Sequence, residues 1–337
     1  MRKLLLNSTA IASVAAITAS ITAVTASVAV ADVSISAFTE FTYTSRSSQV
    51  TANDGTSTTS DSEIAFKFSN KTDSGLTIGY TAELESDEGT VATTFSIDES
   101  SFSIAGGFGT IVLGQNDGAG NNYSFNHSAL IAEDQGAVPT SASIGAGTEI
   151  AAMSGDARKI AYHLPAMGGF TAGVSHTNSG YSGATDTTEV GAKYVMDAGG
   201  NTITLNGSSA TTEASSTDTD AQSMGVTFVS GNLSFNLGQA TYQALDEDQS
   251  TQGAAVSYKM SNGMTIGAYT MKSEDDLDAG EEYSQSGVEA QYTIAAGLTA
   301  VVNVDDYDYK AATTADTDGT SVADSGTISS LTIKASF

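Results

Sequence analysis

Apolar and polar residues alternate along most of the chain. In the segment 33–43, Ile35 and Phe41 fall on one parity, whereas Ser36 and Glu40 fall on the other. A period of two with one apolar and one polar face is typical of a β-strand whose two faces meet different media. The segment is therefore predicted to be a strand at a boundary between an apolar and a polar environment.

The same unit recurs to the C-terminus and predicts sixteen strands. Glycine-containing turns join alternate pairs, and glycine supplies the positive φ that tight hairpins require. The predicted strands are 33–43, 63–68, 76–85, 92–105, 109–115, 158–165, 168–177, 187–197, 201–209, 221–229, 232–242, 252–260, 264–272, 285–294, 298–306 and 325–337.

The predicted connections alternate strictly between short turns and longer polar loops. The longer ones lie near 46–60, 87–91, 116–157, 178–186, 210–220, 243–251, 273–284 and 307–324. Outer-membrane barrels have short turns at one end and longer loops at the other, whereas a soluble sandwich has no reason to separate them. Sixteen strands enclose a bore too wide for side chains to fill. We therefore predict an all-β fold, a 16-stranded antiparallel transmembrane β-barrel around water.

The segment 116–157 lacks the alternation for 42 residues. Structureless connections much longer than about 15 residues are uncommon and are normally functional or disordered. This one contains no Lys or Arg, and its acidic residues are Asp117, Glu133, Asp134, Glu149 and Asp156. We predict an acidic loop surrounded by the strands; the alternative is a mobile surface insertion.

Two sets of side chains follow the strand parities. The charged residues on the polar parity, predicted to face the lumen, are Glu40, Glu63, Lys67, Glu83, Glu85, Glu189, Lys193, Lys259, Glu289 and Lys334. The aromatic residues on the apolar parity, predicted to form interfacial girdles, are Tyr43, Tyr80, Tyr162, Phe170, Tyr194, Phe228, Tyr258 and Tyr292. This division agrees with a polar lumen and a lipid-facing exterior.

The N-terminus has the features of a secretory signal peptide. Arg2 and Lys3 precede an apolar run, and Ala29-Val30-Ala31 is a small-x-small cleavage site, which predicts a leader at 1–31 and a mature barrel at 32–337. Removing these two cations from the 12 basic residues leaves 10 against 39 acidic residues, a net charge of −29. Nucleic acid is excluded as a natural partner, because phosphate binding needs clustered cations. The chain has no cysteine.

Three stretches carry a family resemblance. They are FSIAGGFGTIVLGQ at 102–115, RKIAYHLPAMGGF at 158–170, and LTIKASF at 331–337, which ends in a terminal Phe337. On these residues the sequence resembles the Gram-negative general porins, and most closely the alphaproteobacterial, Rhodobacter-type branch. The resemblance implies an outer-membrane homotrimer in a Gram-negative bacterium, surrounded by lipid and lipopolysaccharide. It also implies that the long third loop folds into the lumen as a constriction.

Site residues follow from that resemblance by position. Glu133 and Asp134 correspond to loop acids at the constriction, Arg158 to the point where the chain re-enters the wall, and Phe337 to the terminal assembly signal. Asp117 is predicted on the loop side, and Lys67, Lys193 and Lys334 on the facing wall. The family often has a basic residue where Gln115 stands, and only Arg46 and Arg158 remain as arginines in the mature chain.

The remaining candidate chemistry is metal binding. Acidic residues that could hold Ca²⁺ or Mg²⁺ through oxygen ligands are Glu274, Asp275, Asp276, Asp305 and Asp306; the alternative is solvated acidic loops. No cofactor is required for the predicted function. His127 beside Ser128, with acids nearby, could belong to a hydrolase, which needs a nucleophile, a base and an orienting group. One His beside one Ser is near chance in a chain this rich in Ser, so no enzyme is predicted.

Two functions from different classes remain. The first is an outer-membrane porin that passes ions and small hydrophilic solutes by diffusion and prefers cations. The second is an acidic, β-rich structural or adhesive surface protein without a pore.

Overall fold

The computed structural model describes residues 32–87, 96–124, 155–178, 185–214, 218–244, 247–275, 281–310 and 323–337. Their strands form one closed barrel in which each strand pairs antiparallel with both neighbours and β1 pairs with β16. The strands are β1 Asp32–Ser48, β2 Gly55–Lys71, β3 Thr77–Asp87, β4 Ser96–Gly106, β5 Gly109–Asn116, β6 Ala157–His163, β7 Phe170–Asn178, β8 Asp186–Asp197, β9 Asn201–Glu213, β10 Thr219–Ser230, β11 Leu233–Ala244, β12 Glu247–Lys259, β13 Met264–Asp275, β14 Glu281–Ala295, β15 Leu298–Lys310 and β16 Asp324–Ser336. The predicted 16-stranded antiparallel barrel is confirmed.

The two faces of the barrel differ as the alternation predicts. On β1, Phe41 is 51% exposed and Tyr43 is 44% exposed, whereas Thr42 between them is 1% exposed. Thr42 Oγ1 is hydrogen-bonded to Thr332 Oγ1 of β16 at 2.8 Å, on the inner side. Apolar side chains therefore surround the barrel, and hydrogen-bonded polar side chains line its wall.

The ladder between β1 and β16 that closes the barrel extends to the last residue. Phe337 N–H donates to Ala37 O at 2.8 Å, and Ala37 N–H donates to Phe337 O at 3.2 Å. β16 pairs with β1 over Phe38–Ser48, whereas residues 32–36 pair only with β2. The stagger between strands needed to close a tilted barrel shifts the pairing up β1.

Several predicted loops are strand. β1 continues to Ser48 and β2 begins at Gly55, so the connection predicted at 46–60 spans only 49–54, with a short 3-10 helix at Thr51–Asn53. The connection between β11 and β12 is reduced to residues 245–246, so the strict alternation of connection lengths is wrong there. Where a strand extends beyond the lipid, its outward residues need not be apolar. The alternation of apolar and polar residues therefore stops there, although the backbone hydrogen bonds between the strands continue.

Short hairpin turns use glycine as predicted. Gly231, between β10 and β11, has a φ of 56°, and Gly297, between β14 and β15, has a φ of 74°. Residues with a Cβ rarely adopt this backbone conformation. One α-helix, α1 at Ala119–Tyr123, follows β5. Among the described residues, no helix is long and apolar enough to cross a membrane.

Candidate functional site

Helix α1 lies against the inner wall of the barrel. The N–H of Ala119 donates to Ser175 Oγ at 2.8 Å, and the N–H of Gly120 donates to Glu189 Oε2 at 3.3 Å. Ser175 and Glu189 are almost completely buried, whereas Val190, adjacent to Glu189 on β8, is 50% exposed on the outer face. The described beginning of the long segment is therefore directed inward. Its predicted role as the constriction depends mainly on 125–154, which lie outside the described residues, and stays a prediction.

A glycine in the wall allows this close approach. A Cβ at Gly191 would lie 2.6 Å from Ala119 O and 2.6 Å from Tyr123 Cβ. Both distances are shorter than carbon atoms tolerate, so any larger residue would displace α1 or the strand. Gly191 is thus the position on β8 that makes room for the helix.

Three carboxylates meet where the long segment leaves and rejoins the barrel. Glu99 belongs to β4, Asp117 follows β5, and Asp156 precedes β6; one oxygen of each lies within 4.8 Å of the others. The β3–β4 register shifts between Ala82 and Leu84, beside Glu99. Such bulges re-aim side chains next to functional sites. We refer to Glu99, Asp117 and Asp156 as the acid cluster.

The acid cluster belongs to a longer acidic surface along the inner wall. Glu63 of β2 and Glu83 of β3 repel each other, and Glu83 and Asp156 also repel each other. On the other side of the cluster, Glu189 of β8 repels Asp117. We refer to Glu63, Glu83, Glu189 and the acid cluster together as the acidic wall.

Two lysines lie within the acidic wall. Lys67 Nζ is 3.7 Å from Glu83 Oε1, and half of the Lys67 side chain is exposed. Lys159 is only 5% exposed, and its Nζ donates to Gly155 O at 2.5 Å. Because acids outnumber these two cations, the wall has a net negative charge.

Burial raises the pKa of Asp117 to about 6. A hydrogen bond from Asn121 Nδ2 to Asp117 Oδ1, at 2.7 Å, lowers the pKa, while Asp156 raises it by repulsion. Lys159 lowers it by attraction, and Glu189 raises it further. The pKa rises mainly because Asp117 is buried, and the neighbouring acids add to the rise.

Arg158 is the predicted pore residue that the structure contradicts. On β6, Lys159 and Ala161 are buried on the inner parity, whereas Ile160 is 61% exposed on the outer parity. Arg158 shares the parity of Ile160 and therefore faces outward. Lys159 is the inward cation that the sequence analysis missed, and strict alternation back from Ile160 and Tyr162 would have identified it.

The other predicted pore residues have different surroundings. Asp117 belongs to the acid cluster, and Lys67 faces Glu83 as described. Lys334 lies near the closing end of β16, with its Nζ 3.2 Å from Glu40 Oε2. Lys193 is on the inner parity of β8, half-buried, four residues after Glu189. Glu133 and Asp134 lie outside the described residues.

The predicted metal candidates are not assembled into one site among the described residues. Asp305 is completely buried on the inner face of β15, where its Oδ1 accepts a hydrogen bond from Tyr269 at 2.8 Å. Asp306 lies on the opposite face and accepts a hydrogen bond from Thr327 Oγ1 at 2.9 Å. Adjacent strand residues point to opposite faces, so this pair cannot share an ion.

The second group of metal candidates includes an ion-paired residue. Glu274 Oε1 is 2.5 Å from Lys272 Nζ, and Lys272 Nζ is 2.9 Å from Glu282 Oε2. Lys310 Nζ is 2.8 Å from the other oxygen of Glu282. These side chains form a ladder on the outer face of β13–β15. Glu274 is therefore compensated by Lys272, and the side chains of Asp275 and Asp276 are outside the described set.

The lumen also contains tyrosines that the girdle prediction did not include. The buried residues Met271, Tyr283, Tyr307, Tyr309 and Ile328 form an apolar cluster on the inner face of β13–β16. Beside it, Gln285 Nε2 donates to Tyr269 Oη at 2.8 Å and Tyr283 Oη donates to Gln285 Oε1 at 3.0 Å. On β15, Tyr307 and Tyr309 share the parity of Asn303 and Asp305, and that parity was the signal that could have placed these two tyrosines inside.

The described histidines have simple contacts. His163 Nδ1 is 3.4 Å from Tyr123 Oη inside the barrel, and His176 Nδ1 is 3.1 Å from Thr188 Oγ1 on the outer face. Neither contact forms a nucleophile and base arrangement. His127 and Ser128 lie outside the described residues.

A family model described as Gram-negative porin matches residues 13–325. The chain belongs to the Gram-negative porin family. This membership and the closed barrel make it an outer-membrane porin channel. The alternative of a surface protein without a pore is therefore abandoned. No curated protein matches the chain.

Solved structures with the same fold are distant in sequence. The outer membrane protein OmpT of Vibrio cholerae, in trimer form, is 10% identical over 91% of this chain and 99% of its own, with a TM-score of 0.67. A mutant of Rh. blastica porin is 16% identical over 90% of this porin and 100% of its own chain, with a TM-score of 0.66. The anion-selective porin from Comamonas acidovorans is 16% identical over 91% of this porin and 100% of its own chain, with a TM-score of 0.61.

Proposed function

We propose that this porin lets ions and small hydrophilic solutes diffuse through its lumen and that it prefers cations to anions. The observation that carries the preference is the acidic wall, in which Glu63, Glu83, Glu189 and the acid cluster surround Lys67 and Lys159. Elsewhere on the inner wall, Lys334 is compensated by Glu40. The local balance of charge is negative.

The physical reason is that the low-dielectric wall focuses the field of these carboxylates into the water of the lumen. Cations are then concentrated and anions are depleted. The effect depends on salt, because the Debye length falls from about 8 Å at physiological ionic strength to about 3 Å at 1 M. The anion-selective Comamonas porin has the same fold, so the fold alone does not determine the preferred charge.

Charge-neutral variants test the preference. Purified mature protein is reconstituted in planar bilayers, and the zero-current potential is measured across a KCl gradient at low salt. Glu63→Gln combined with Glu83→Gln is expected to shift the potential towards anion preference. Asp306→Asn, which removes one acid from the outer face, is the matched control and is expected to leave the potential unchanged. Equal potentials in the wild type and the lumenal double variant would contradict the proposal.

The loop acids Glu133 and Asp134 provide a separate test of the constriction. If they line the narrowest section, Glu133→Gln combined with Asp134→Asn is expected to reduce cation preference. The open-channel current at 1 M KCl serves as a control for pore size. Unchanged selectivity in this variant would mean that these acids are not at the constriction, while leaving the role of the acidic wall intact.

We also propose that the porin is a homotrimer embedded in lipid and lipopolysaccharide. Support comes from the similarity to OmpT of Vibrio cholerae, which is described in trimer form, and from the apolar outer face. Light scattering of the detergent-solubilised protein, corrected for bound detergent, measures the number of chains. A particle containing one chain at all concentrations would refute the trimer. We infer no enzymatic activity for this porin.

A further inference from the structure

Short turns lie at one end of the barrel. At this end β2 joins β3 through residues 72–76, β8 joins β9 through 198–200, and β12 joins β13 through 260–263. Outer-membrane barrels have their short turns on the periplasmic side. We therefore refer to this end as the periplasmic end and describe the charges of the inner wall by their distance from it.

Two lysines face the lumen close to the periplasmic end. Lys259 is the last residue of β12, and Lys193 lies four residues before the end of β8. On β12, Ser257 is buried on the inner face and Tyr258 is 46% exposed on the outer face, so Lys259 has the inner parity. Lys193 shares the parity of the buried Glu189. Both lysines are therefore part of the inner wall.

These two lysines differ from the other inward lysines near this end in having no counter-ion among the described residues. Lys67 Nζ is 3.7 Å from Glu83 Oε1, and Lys334 Nζ is 3.2 Å from Glu40 Oε2. No ion pair joins either of the two lysines to a residue that the structure describes. Their positive charge is therefore not balanced by a neighbouring carboxylate of the described wall.

Acids of the inner wall lie farther from the periplasmic end. Glu83 and Glu289 are six residues from the periplasmic ends of β3 and β14. Glu63 and Glu189 are eight residues from those of β2 and β8. On β8, Glu189 and Lys193 are about 13 Å apart along the strand, which is about 10 Å along the barrel axis at the usual strand tilt. We refer to the two lysines as the positive zone and to these four acids as the negative zone.

Three more acids lie at the rim of the periplasmic end, where Asp32, Asp73 and Asp197 are exposed. Water and salt screen charges at the rim, whereas the low-dielectric wall focuses the field of charges within the lumen. Lys259 is still within the strand ladder, because its N–H donates to Asn232 O at 2.9 Å. The rim acids therefore weaken the positive zone without cancelling it.

We propose that Lys193 and Lys259 make the channel rectify, so that it passes more current at one polarity of the voltage than at the other. Cations pass the negative zone easily, and anions pass the positive zone easily. When the extracellular side is positive, both kinds of ion are driven towards the boundary between the zones and accumulate there, so the conductance rises. At the opposite polarity both are drawn away from the boundary, and the conductance falls. This inference rests on the proposed diffusion of ions through the lumen, but not on the overall preference for cations.

The test is the current–voltage curve of single channels in planar bilayers with the same KCl concentration on both sides. The chain has no cysteine, so Thr51→Cys in the exposed β1–β2 connection can be labelled from one side with a maleimide polymer too large to enter the pore. The label identifies the extracellular side. In about 0.1 M KCl, the current at about 100 mV is expected to be at least about 1.5 times larger with that side positive. At 1 M the ratio is expected to approach 1, because the Debye length is then about 3 Å.

Charge variants connect the ratio to the two lysines. Lys193→Gln combined with Lys259→Gln is expected to bring the ratio at low salt close to 1, whereas Lys193→Arg combined with Lys259→Arg keeps both charges and is expected to retain it. The matched control is Lys272→Gln combined with Lys310→Gln, which removes two positive charges from the outer face. This control is expected to have the wild-type ratio.

Equal currents at both polarities in the wild type at low salt, or a larger current at the opposite polarity, would overturn the proposal even if no variant folds. An unchanged ratio in the lumenal glutamine variant, or loss of the ratio in the outer-face control, would also overturn it. The zero-current potential across a KCl gradient is measured on the same channels. A cation-preferring channel with equal currents would contradict only this inference, whereas an anion-preferring channel that rectifies as expected would contradict only the proposed preference.

Discussion

Gly191 sets how closely α1 can approach the wall. Gly191→Ala would place a Cβ 2.6 Å from Ala119 O, and overpacking of this kind typically costs about 1–3 kcal/mol. We expect α1 to detach and protease cleavage between 117 and 156 to accelerate. Gly207→Ala is the matched control, because a Cβ there meets only Ser223 O, at 3.8 Å. Identical cleavage rates in the two variants would show that α1 does not depend on this glycine.

Tyr269 of β13 makes a buried hydrogen bond on another part of the inner wall. Its hydroxyl donates to Asp305 Oδ1, and Asp305 is completely buried. Tyr269→Phe removes that donor and is expected to lower the free energy of unfolding by about 1–3 kcal/mol. Tyr258→Phe, at a tyrosine 46% exposed on the outer face, is the control and should change stability less. Denaturant unfolding in detergent compares them; equal midpoints would contradict the proposed importance of the buried bond.

At the scale of residues, the alternation of apolar and polar positions predicted most lumenal residues correctly. The wrong prediction was made where the family resemblance was used in place of the alternation. Glu63, Lys67, Glu83 and Glu189 were placed correctly by alternation. Arg158 was placed by analogy, although the exposed Ile160 on the same parity shows that it faces outward. The convergence of Glu99 with Asp117 and Asp156 could not be predicted, because it depends on a bulge and on strand stagger.

At the scale of elements, β16 closes the barrel by pairing with β1 along its length and up to its last residue. Phe337 is 62% exposed on the outer face and exchanges two backbone hydrogen bonds with Ala37. Phe337→Asp places a charge at the lipid boundary, and deletion removes the bonds as well. We expect both changes to reduce the amount of folded porin in the outer membrane.

The matched control for this element is Phe337→Tyr, which keeps an aromatic ring at the terminus. Folded porin is measured as the fraction that keeps the gel mobility of the folded protein when the SDS sample is not heated. Surface labelling of intact cells measures how much of it reaches the outer membrane. Wild-type amounts of surface-exposed Phe337→Asp porin would show that the terminal residue is not an assembly signal.

Strand number was predictable, but strand length was not. The apolar parity marks only the part of a strand that faces lipid, so it indicates every strand but not the polar ends of β1 and β2. Those ends run to Ser48 and start at Gly55. The serines and threonines there are typical of a loop, although their backbone groups are hydrogen-bonded to the neighbouring strands of the barrel.

At the scale of the whole molecule, the barrel encloses a lumen whose described wall is negative between β2 and β8. The closed antiparallel ladder leaves no unpaired edge in lipid, so the charged residues can concentrate inside. The excess of acids in the composition predicted the sign of this lumen. The distribution of these charges, with one buried lysine among four carboxylates, could be seen only in the structure.

The most direct test of this description is the zero-current potential of the wild-type channel in a planar bilayer, across a KCl gradient at low ionic strength. We expect stepwise conductance and a potential whose sign corresponds to K⁺ permeating faster than Cl⁻, with the preference weakening towards 1 M salt as screening increases. A potential of the opposite sign, or no conductance from correctly folded protein, would contradict the assignment of a cation-preferring channel.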